Sequence, residues 1–481
     1  MDNKLSLYIL TDTHYLSPAV WEEGECINNR EKGDQIAIKS TPFILRSFFA
    51  KILEDKDTQY VLITGDLINN GDRQSHEDFI KELRVLTDAG KKVFVTCATH
   101  DYAGLGDDEN IFHPVRYKKD SCEEIERVYK TQLPGLYYDF GHLHADSIHK
   151  ESGSYTVVFP EGFKLIAVYD NGNGRSHCGL FDDGFLWLEN EIKKSGEKGE
   201  DVFIAVHHPV LPPWQVYCDA AEFEMFGGYA RLRQLMCEYG VRVVFTGHTH
   251  VHGIKKYTDS EGRGFYDITT SALPGAKGRM RKVVFDKEKR TCSVSSIAID
   301  RIEGFDTGGL SAEEYIYSLN FAGLLEKNLP VAKKDWNAFV DDASHVFNIN
   351  AVRNHPHLGK AAVSLFCSLK MNAAYIIGGN GGSFTREEKK YLKSLYVKDV
   401  VFNILKHVFS GNGPYPPDTV EYRAIEGFIV RGVKIARAFG VDIDKLIPGN
   451  RTALETARDF LYNTRTGDDS SIIIDLENKY D

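Results

Sequence analysis

Histidine and aspartate recur in five short clusters within the first 250 residues: Asp12-Thr13-His14, Gly65-Asp66, Thr99-His100-Asp101, His207-His208-Pro209 and Gly247-His248-Thr249-His250. Each follows an apolar run with the character of a buried strand. Each is therefore expected in the loop at a strand's carboxyl end, the edge where layered α/β folds collect ligands. A single Asp or His at a strand end is ordinarily a cap or a satisfied polar group, whereas five together point to chemistry. Carboxylates and imidazoles suit Mn, Fe, Zn or Co, and an aspartate able to bridge two ions permits a dinuclear site. In Asp-x-His and His-x-His the two side chains project to one side of a locally extended backbone, so each pair can face one centre. Gly65 and Gly247 let the main chain approach it closely.

The runs ahead of the clusters are Leu5 to Leu10, Tyr60 to Ile63, Lys92 to Val95, Val202 to Val206 and Val241 to Phe245. Helical patterns separate them. Thr41-Pro42 reads as an N-cap followed by proline, after which Ile44, Leu45, Phe48, Phe49, Ile52 and Leu53 share one face. A second helix is expected to open at Ser75, turn Phe79, Leu83 and Leu86 inward and stop at Gly90. Tyr155 to Phe159 and Lys164 to Val168 read as a hairpin, and Phe185 to Ile192 as a further amphipathic helix. Such alternation marks layered α/β construction. After residue 250 the pattern turns to short strands. From Ser311-Ala312-Glu313-Glu314, which has the form of a capping box, to about Arg465 it is helical. These changes divide the chain into residues 1–304, which carry every cluster above, and a helical C-terminal domain, 305–481. That domain is expected to pack against the first, restrict access to it or mediate self-association. Gly378-Gly379-Asn380-Gly381-Gly382 lacks the strand and lysine of a phosphate-binding loop and reads as a connection between helices.

The 481 residues are 42% hydrophobic and 26% charged, close to the globular average and unlike a disordered or low-complexity chain. Lys and Arg number 58 against 69 Asp and Glu, a net charge of −11, which argues against duplex nucleic acid or an anionic membrane as partner. No apolar stretch approaches the roughly 20 residues of a spanning helix, and the opening residues lack a signal-peptide pattern, so a cytoplasmic protein is expected. The eight cysteines are never closer than 19 residues, which excludes C-x-x-C motifs and suggests reduced thiols.

The series D-x-H, G-D, x-H-D, H-H-P and G-H-x-H, in this order over roughly residues 5 to 300, resembles the calcineurin-like metallophosphoesterases. Gly65-Asp66-Leu67-Ile68-Asn69-Asn70-Gly71 is similar to the matching segment of that family's bacterial class III cyclic-nucleotide phosphodiesterase branch. The resemblance implies a four-layer α-β-β-α sandwich with an added all-α domain, and two divalent cations. One cation would take Asp12, His14 and His250, the other His207 and His248, with Asp66 between them. It further implies that a hydroxide held by both ions attacks phosphorus in line, while His100, oriented by Asp101, protonates or stabilises the leaving oxygen. Where the family has an asparagine ligand, this chain has Thr99, whose hydroxyl is a poorer donor, so the second ion is expected to bind more weakly. The reaction implied is hydrolysis of a small phosphodiester, a cyclic nucleotide among the candidates. The alternatives are a phosphomonoesterase or protein phosphatase, and a metal-binding regulatory protein whose activity has lapsed. Against a serine/threonine phosphatase, the G-D-x-V-D-R-G continuation is missing after Gly65-Asp66. The oligomeric state stays open.

Other candidates compete with these residues. Gly141-His142-Leu143-His144 also fits G-H-x-H, yet precedes His-His-Pro instead of following it. Cys97 reads as a buried thiol, His208 as a group that either supports His207 or faces substrate, and His252, Asp170, Asn171 and Asn173 as turn or supporting groups beside the motifs. The segments Tyr102 to Asp120, with His113, Arg116, Lys118 and Lys119, and Val210 to Gly228, with Trp214 and Tyr217, could cover the pocket or simply the core.

Overall fold

Two mixed β-sheets face each other through a layer of aromatic rings. A computed structural model describes residues 3–34, 36–106, 109–110, 113–170, 178–214, 222–344, 353–440, 442–447, 451–462 and 469–477. The chain divides into two units, the first made of Met1–Pro213, Ala221–Ile316 and Gly467–Asp481, the second of Trp214–Ala220 and Tyr317–Thr466.

In the first unit the strands are β1 (Lys4–Leu10), β2 (Tyr60–Thr64), β3 (Lys92–Thr96), β4 (Ser147–Ile148), β5 (Tyr155–Val158), β6 (Phe163–Ala167) and β7 (Asp201–Ala205). They continue with β8 (Val243–Thr246), β9 (Gly253–Thr258), β10 (Gly264–Thr269), β11 (Arg279–Asp286), β12 (Thr291–Ala298) and β13 (Ser471–Asp475). One sheet has the order β13-β12-β11-β1-β2-β3, the other β9-β10-β8-β7-β6-β5-β4. Within the first, β1, β2 and β3 are parallel; within the second, β6, β7, β8 and β10 are. Every residue of β2 is buried, as a strand covered on both faces requires.

The rings of Phe163, Phe203 and Phe285 stack between the sheets, Phe285 lying 4.8 Å from Phe203 and 5.2 Å from Phe163. Tyr60 and Phe94 meet Phe159 in the same layer, at 4.9 and 5.8 Å. Burying each such ring contributes about 1.5–3 kcal/mol. Helices α2 (Thr41–Glu54) and α3 (Arg73–Asp88) pack side by side, α3 also against β3. Beyond the second sheet, Phe185, Leu188 and Ile192 of α4 (Asp182–Lys198) and Leu232, Leu235 and Met236 of α5 (Tyr229–Tyr239) share a core with Ile166, Ile204 and Val244. The result is the four-layer α-β-β-α sandwich. Between β1 and α2 lies the short α1 (Glu25–Asp34).

Helix α3 begins two residues earlier than its sequence pattern predicts. Asp72, not Ser75, is its N-cap: the Asp72 carboxylate accepts the Ser75 N–H, while Ser75 Oγ accepts from Ser17 N.

The second unit is helical and includes Phe321–Lys334, Trp336–Ser344, Pro356–Ser368, Asn372–Gly378, Arg386–Ser394, Val397–His407, Val420–Ala438 and Ala453–Leu461. Met371, Phe384, Leu392, Val400, Tyr422 and Ala424 form one core in it. The Gly378 to Gly382 stretch connects two of its helices, Gly379 ending the first in the left-handed conformation. Phe428 and Ile435, on Val420–Ala438, are 41% and 43% exposed. The end of the chain is not helical. Ser471–Asp475 returns to the first unit and pairs antiparallel with β12, Ile474 buried and Ile473 outward, so a cut at residue 305 would leave this strand with the helices. Among the described residues no helix is long and apolar enough to cross a membrane.

Candidate metal centre

Parallel strands β1, β2 and β3 of one sheet and β7 and β8 of the other end at one edge, and all five clusters follow those ends. Main-chain bonds lace the loops together: Asp12 N and His14 N donate to the carbonyls of Gly65 and Asp66, and Gly247 N to that of His207.

The two residues of each x-spaced pair converge, but not through extended backbone. Asp12, His14, Asp66, His248 and His250 have φ of 47°, 41°, 48°, 67° and 57°, and the other described non-glycine residue with positive φ is Arg290. Left-handed backbone costs an L-residue about 1–3 kcal/mol and persists only where its surroundings over-determine it. Five such residues at one edge mark a site held in tension. Gly247 is required here, because a Cβ on it would meet Thr11 Oγ1 and Asp12 Oδ2.

Three overlapping sets of ligand atoms result, each within 4.8 Å: Asp12, His14 and His250; His14, Asp66 and His100; Asp66, His207 and His248. Asp12 Oδ1 lies 3.7 Å from His14 Nε2, 3.7 Å from His207 Nε2 and 3.5 Å from His250 Nε2. His14 Nε2 and His250 Nε2 are 3.0 Å apart, as are His207 Nε2 and Asp66 Oδ2. Yet Asp12 Oδ1 and His207 Nε2 are buried without a hydrogen-bond partner among the described residues. A buried, unsatisfied carboxylate oxygen ringed by imidazole nitrogens is the arrangement that a shared cation satisfies. The residues present fit a pair of divalent ions.

The electrostatics agree. Burial opposes the charge of Asp12, but His207, His14 and His250 hold its carboxyl well below the usual range. Burial likewise opposes charge on His207, while Asp66 and Asp12 hold its imidazolium well above the ordinary histidine value. Positive charge is thus demanded where the carboxylates meet. His248 differs: burial and the neighbouring His208 push it down to about 4, so its ring is neutral. His207 donates Nδ1–H to the Thr64 carbonyl at 2.7 Å, which makes Nε2 the nitrogen that would face a cation in place of its proton.

Thr99 is buried beside His100 in the loop after β3. His100 donates its main-chain N–H to Asp66 Oδ1 at 3.0 Å, and its Nδ1 lies 2.6 Å from the Asn69 carbonyl, which orients the ring. The described bonds of Asp101 run to the loop backbone, whereas the sequence expectation has it orienting the His100 ring. The Asp101 carboxylate instead accepts the main-chain N–H groups of Leu67, Ile68 and Ala98 at 2.7, 3.1 and 2.8 Å, clamping the loops after β2 and β3 to each other. Unsatisfied buried donors cost about 1–3 kcal/mol each, so Asp101→Ala is expected to destabilise the protein by several kcal/mol. Thermal denaturation checks this, and a melting temperature equal to wild type would contradict it.

Behind this loop, buried His76 sits between the Tyr137 hydroxyl (Nδ1, 2.6 Å) and the Asp101 carbonyl (Nε2, 2.8 Å). Burial pushes it from 6.5 down to about 3. The unfolded chain therefore takes up this proton first. The stability His76 contributes is whole above pH 6.5 and is lost as pH falls from there toward 3. Stability measured against pH should fall over that window and fall less steeply in His76→Gln; equal slopes would contradict the assignment.

The remaining candidates lie apart. His142 donates its Nε2–H to the Gly153 carbonyl and belongs to none of the described ligand sets. His252 pairs with Ser296 and Ser271. Cys97 is fully buried, and burial pushes its thiol up. His208 is paired with Asp170 at 2.9 Å and lies 4.0 Å, centroid to centroid, from the His248 ring. Asn171, Asn173 and Tyr217 lie outside the described residues. His113 is taken up by Glu124 and Lys118 by Glu22, while Trp214 bonds to the Val408 carbonyl within the second unit. One contact had no motif to announce it: Glu224 Oε2 lies 2.6 Å from His248 Nε2. Glu224 is one of several acids in the long segment after His-His-Pro, and spacing alone does not single it out.

A sandwich of this kind, with candidate metal ligands gathered at one edge, is a phosphoesterase fold, as the family match shows. The family of calcineurin-like phosphoesterases matches residues 5–252, more than half of the chain, and the chain belongs to it. It is similar to a protein of Arcobacter nitrofigilis named as a probable glycerophosphodiester phosphodiesterase, GpdQ, being 21% identical over 192 residues, 40% of this chain and 56% of that relative. The chain thus matches little more than half the length of this relative. Among solved structures it is similar to a dimetal phosphatase from Danio rerio (13% identity, 61% of this chain and 95% of that one, TM-score 0.43). It is also similar to a purple acid phosphatase from yellow lupin, Lupinus luteus (12% identity, 64% and 53%, TM-score 0.40).

Proposed function

We propose that this protein hydrolyses small phosphodiesters with two divalent cations, a cyclic nucleotide being one candidate substrate. The observation that carries the reading is the meeting of Asp12, His14 and His250 with Asp66, His207 and His248 around the unsatisfied Asp12 Oδ1. The first three would hold one cation and His207 with His248 the other, Asp66 serving both. Bound there, the ions supply an activated water and neutralise charge developing on the phosphoryl oxygens. The chain's own groups hold that arrangement and handle the proton. The loops clamped by Asp101 keep Asp66 and His100 in register. His100, its ring oriented by the Nδ1 bond to the Asn69 carbonyl, would exchange a proton with the leaving oxygen. Thr99 stands where the family supplies an amide, which makes the second cation the weaker one. The segment Gly65 to Gly71 and the relative named as a diesterase support a diester over a monoester. Dispersed cysteines, free thiols in the described residues, favour a reducing compartment such as the cytoplasm.

Reconstitution with Mn, Fe, Zn or Co separately, followed by assay of bis-p-nitrophenyl phosphate, p-nitrophenyl phosphate and 3′,5′-cyclic nucleotides, tests this. The diester and a cyclic nucleotide should be turned over faster than the monoester. Preference for the monoester would overturn the substrate class, and metal binding without turnover of any ester would favour a regulatory protein.

A further inference from the structure

The geometry points to Glu224 as a positioning residue that fixes His248 as a ligand of the second cation, an inference that rests on the two-cation reading above. Glu224 ends the short turn Glu222–Glu224 in the segment after His207-His208-Pro209, and its Oε2 lies 2.6 Å from His248 Nε2. A carboxylate only accepts, so Nε2 carries the hydrogen and Nδ1 keeps the lone pair. His248 also belongs to the set with Asp66 and His207, so with Nε2 on Glu224 the nitrogen left to serve that set is Nδ1, while the main-chain N of the residue donates to Asp12 Oδ2 at 3.0 Å. Nε2, at the far end of the ring, reaches Glu224. His208 lies over the ring at 4.0 Å and 35°, and is itself anchored by Asp170, so the ring's plane is fixed as well as its tautomer.

A carboxylate behind a ligating imidazole makes it a stronger donor and holds its tautomer. This bears on the weak point of the centre. The second cation lacks an amide at Thr99, and Glu224, acting through His248, offsets part of that loss.

Manganese titration of the full chain by calorimetry, with metal content after dialysis, tests the inference. Glu224→Ala should keep the first manganese at wild-type affinity and weaken the second about 10- to 100-fold. Glu224→Gln, whose amide oxygen still accepts the Nε2–H, should recover most of that loss. Glu222→Ala removes the carboxylate bonded to the Tyr229 hydroxyl in the same turn and should bind as wild type does. Two ions held as tightly by Glu224→Ala as by wild type would overturn the inference. So would a glutamine variant as weak as the alanine one, which marks a direct carboxylate–metal bond, or an equal loss in Glu222→Ala, which assigns the effect to the loop. A wild-type chain that takes up no second manganese would instead overturn the two-cation reading itself.

Discussion

Asp66→Asn is expected to lose bound metal and nearly all activity together. Asp66 belongs to two of the three ligand sets; its Oδ2 faces His207 Nε2 at 3.0 Å and its Oδ1 receives the main-chain N–H of His100. Asparagine keeps the shape and one acceptor, so the loop is preserved and the charge alone is removed. Removing one member of a buried charged set costs about 3–5 kcal/mol. As a barrier or a binding energy this amounts to roughly 10²- to 10⁴-fold. Metal analysis and steady-state kinetics on the same preparation check it. A variant that holds two ions per chain would remove Asp66 from the bridging position.

His100→Ala is the complementary case: turnover should fall about 10²- to 10⁴-fold, the usual worth of a positioned acid or base, with metal content unchanged. The distinction follows from which atoms do what. His100 supports Asp66 through its main-chain N–H, which alanine retains, whereas the ring steered by the Asn69 carbonyl is what the substitution removes. A drop in metal content matching that of Asp66→Asn would make His100 a ligand instead of a proton donor.

The five motifs, the strands that end in them and the layered class of fold were legible because each rests on local signals: an apolar run, then His or Asp, then a turn residue. The domain of positive φ was not. The alternation at Asp12-Thr13-His14 predicts extended backbone, whereas the loop is bent by bonds from Asp12 N and His14 N to the neighbouring strand's loop, partners 53 and 52 residues away in sequence. The loop-clamping bonds of Asp101 are hidden for the same reason. Its adjacency to His100 is visible in sequence, but the three amides it binds become neighbours only when β2 and β3 pair. Glu224 escaped notice because a carboxylate acting on an imidazole 24 positions away leaves no spacing rule. The strand Ser471–Asp475 hid in a polar tail after a helical stretch, its three isoleucines too short a run to predict a pairing partner.

That last strand has a practical corollary for anyone trimming the protein. Its five residues, Ser471 to Asp475, cover one side of Thr291 to Ser295. A truncation that stops before residue 470 would strip off this cover and leave a row of bare amides and carbonyls, the template on which β-proteins pair with one another. Such a shortened chain should precipitate or form oligomers even with every metal ligand intact, and insolubility there would say nothing about catalysis.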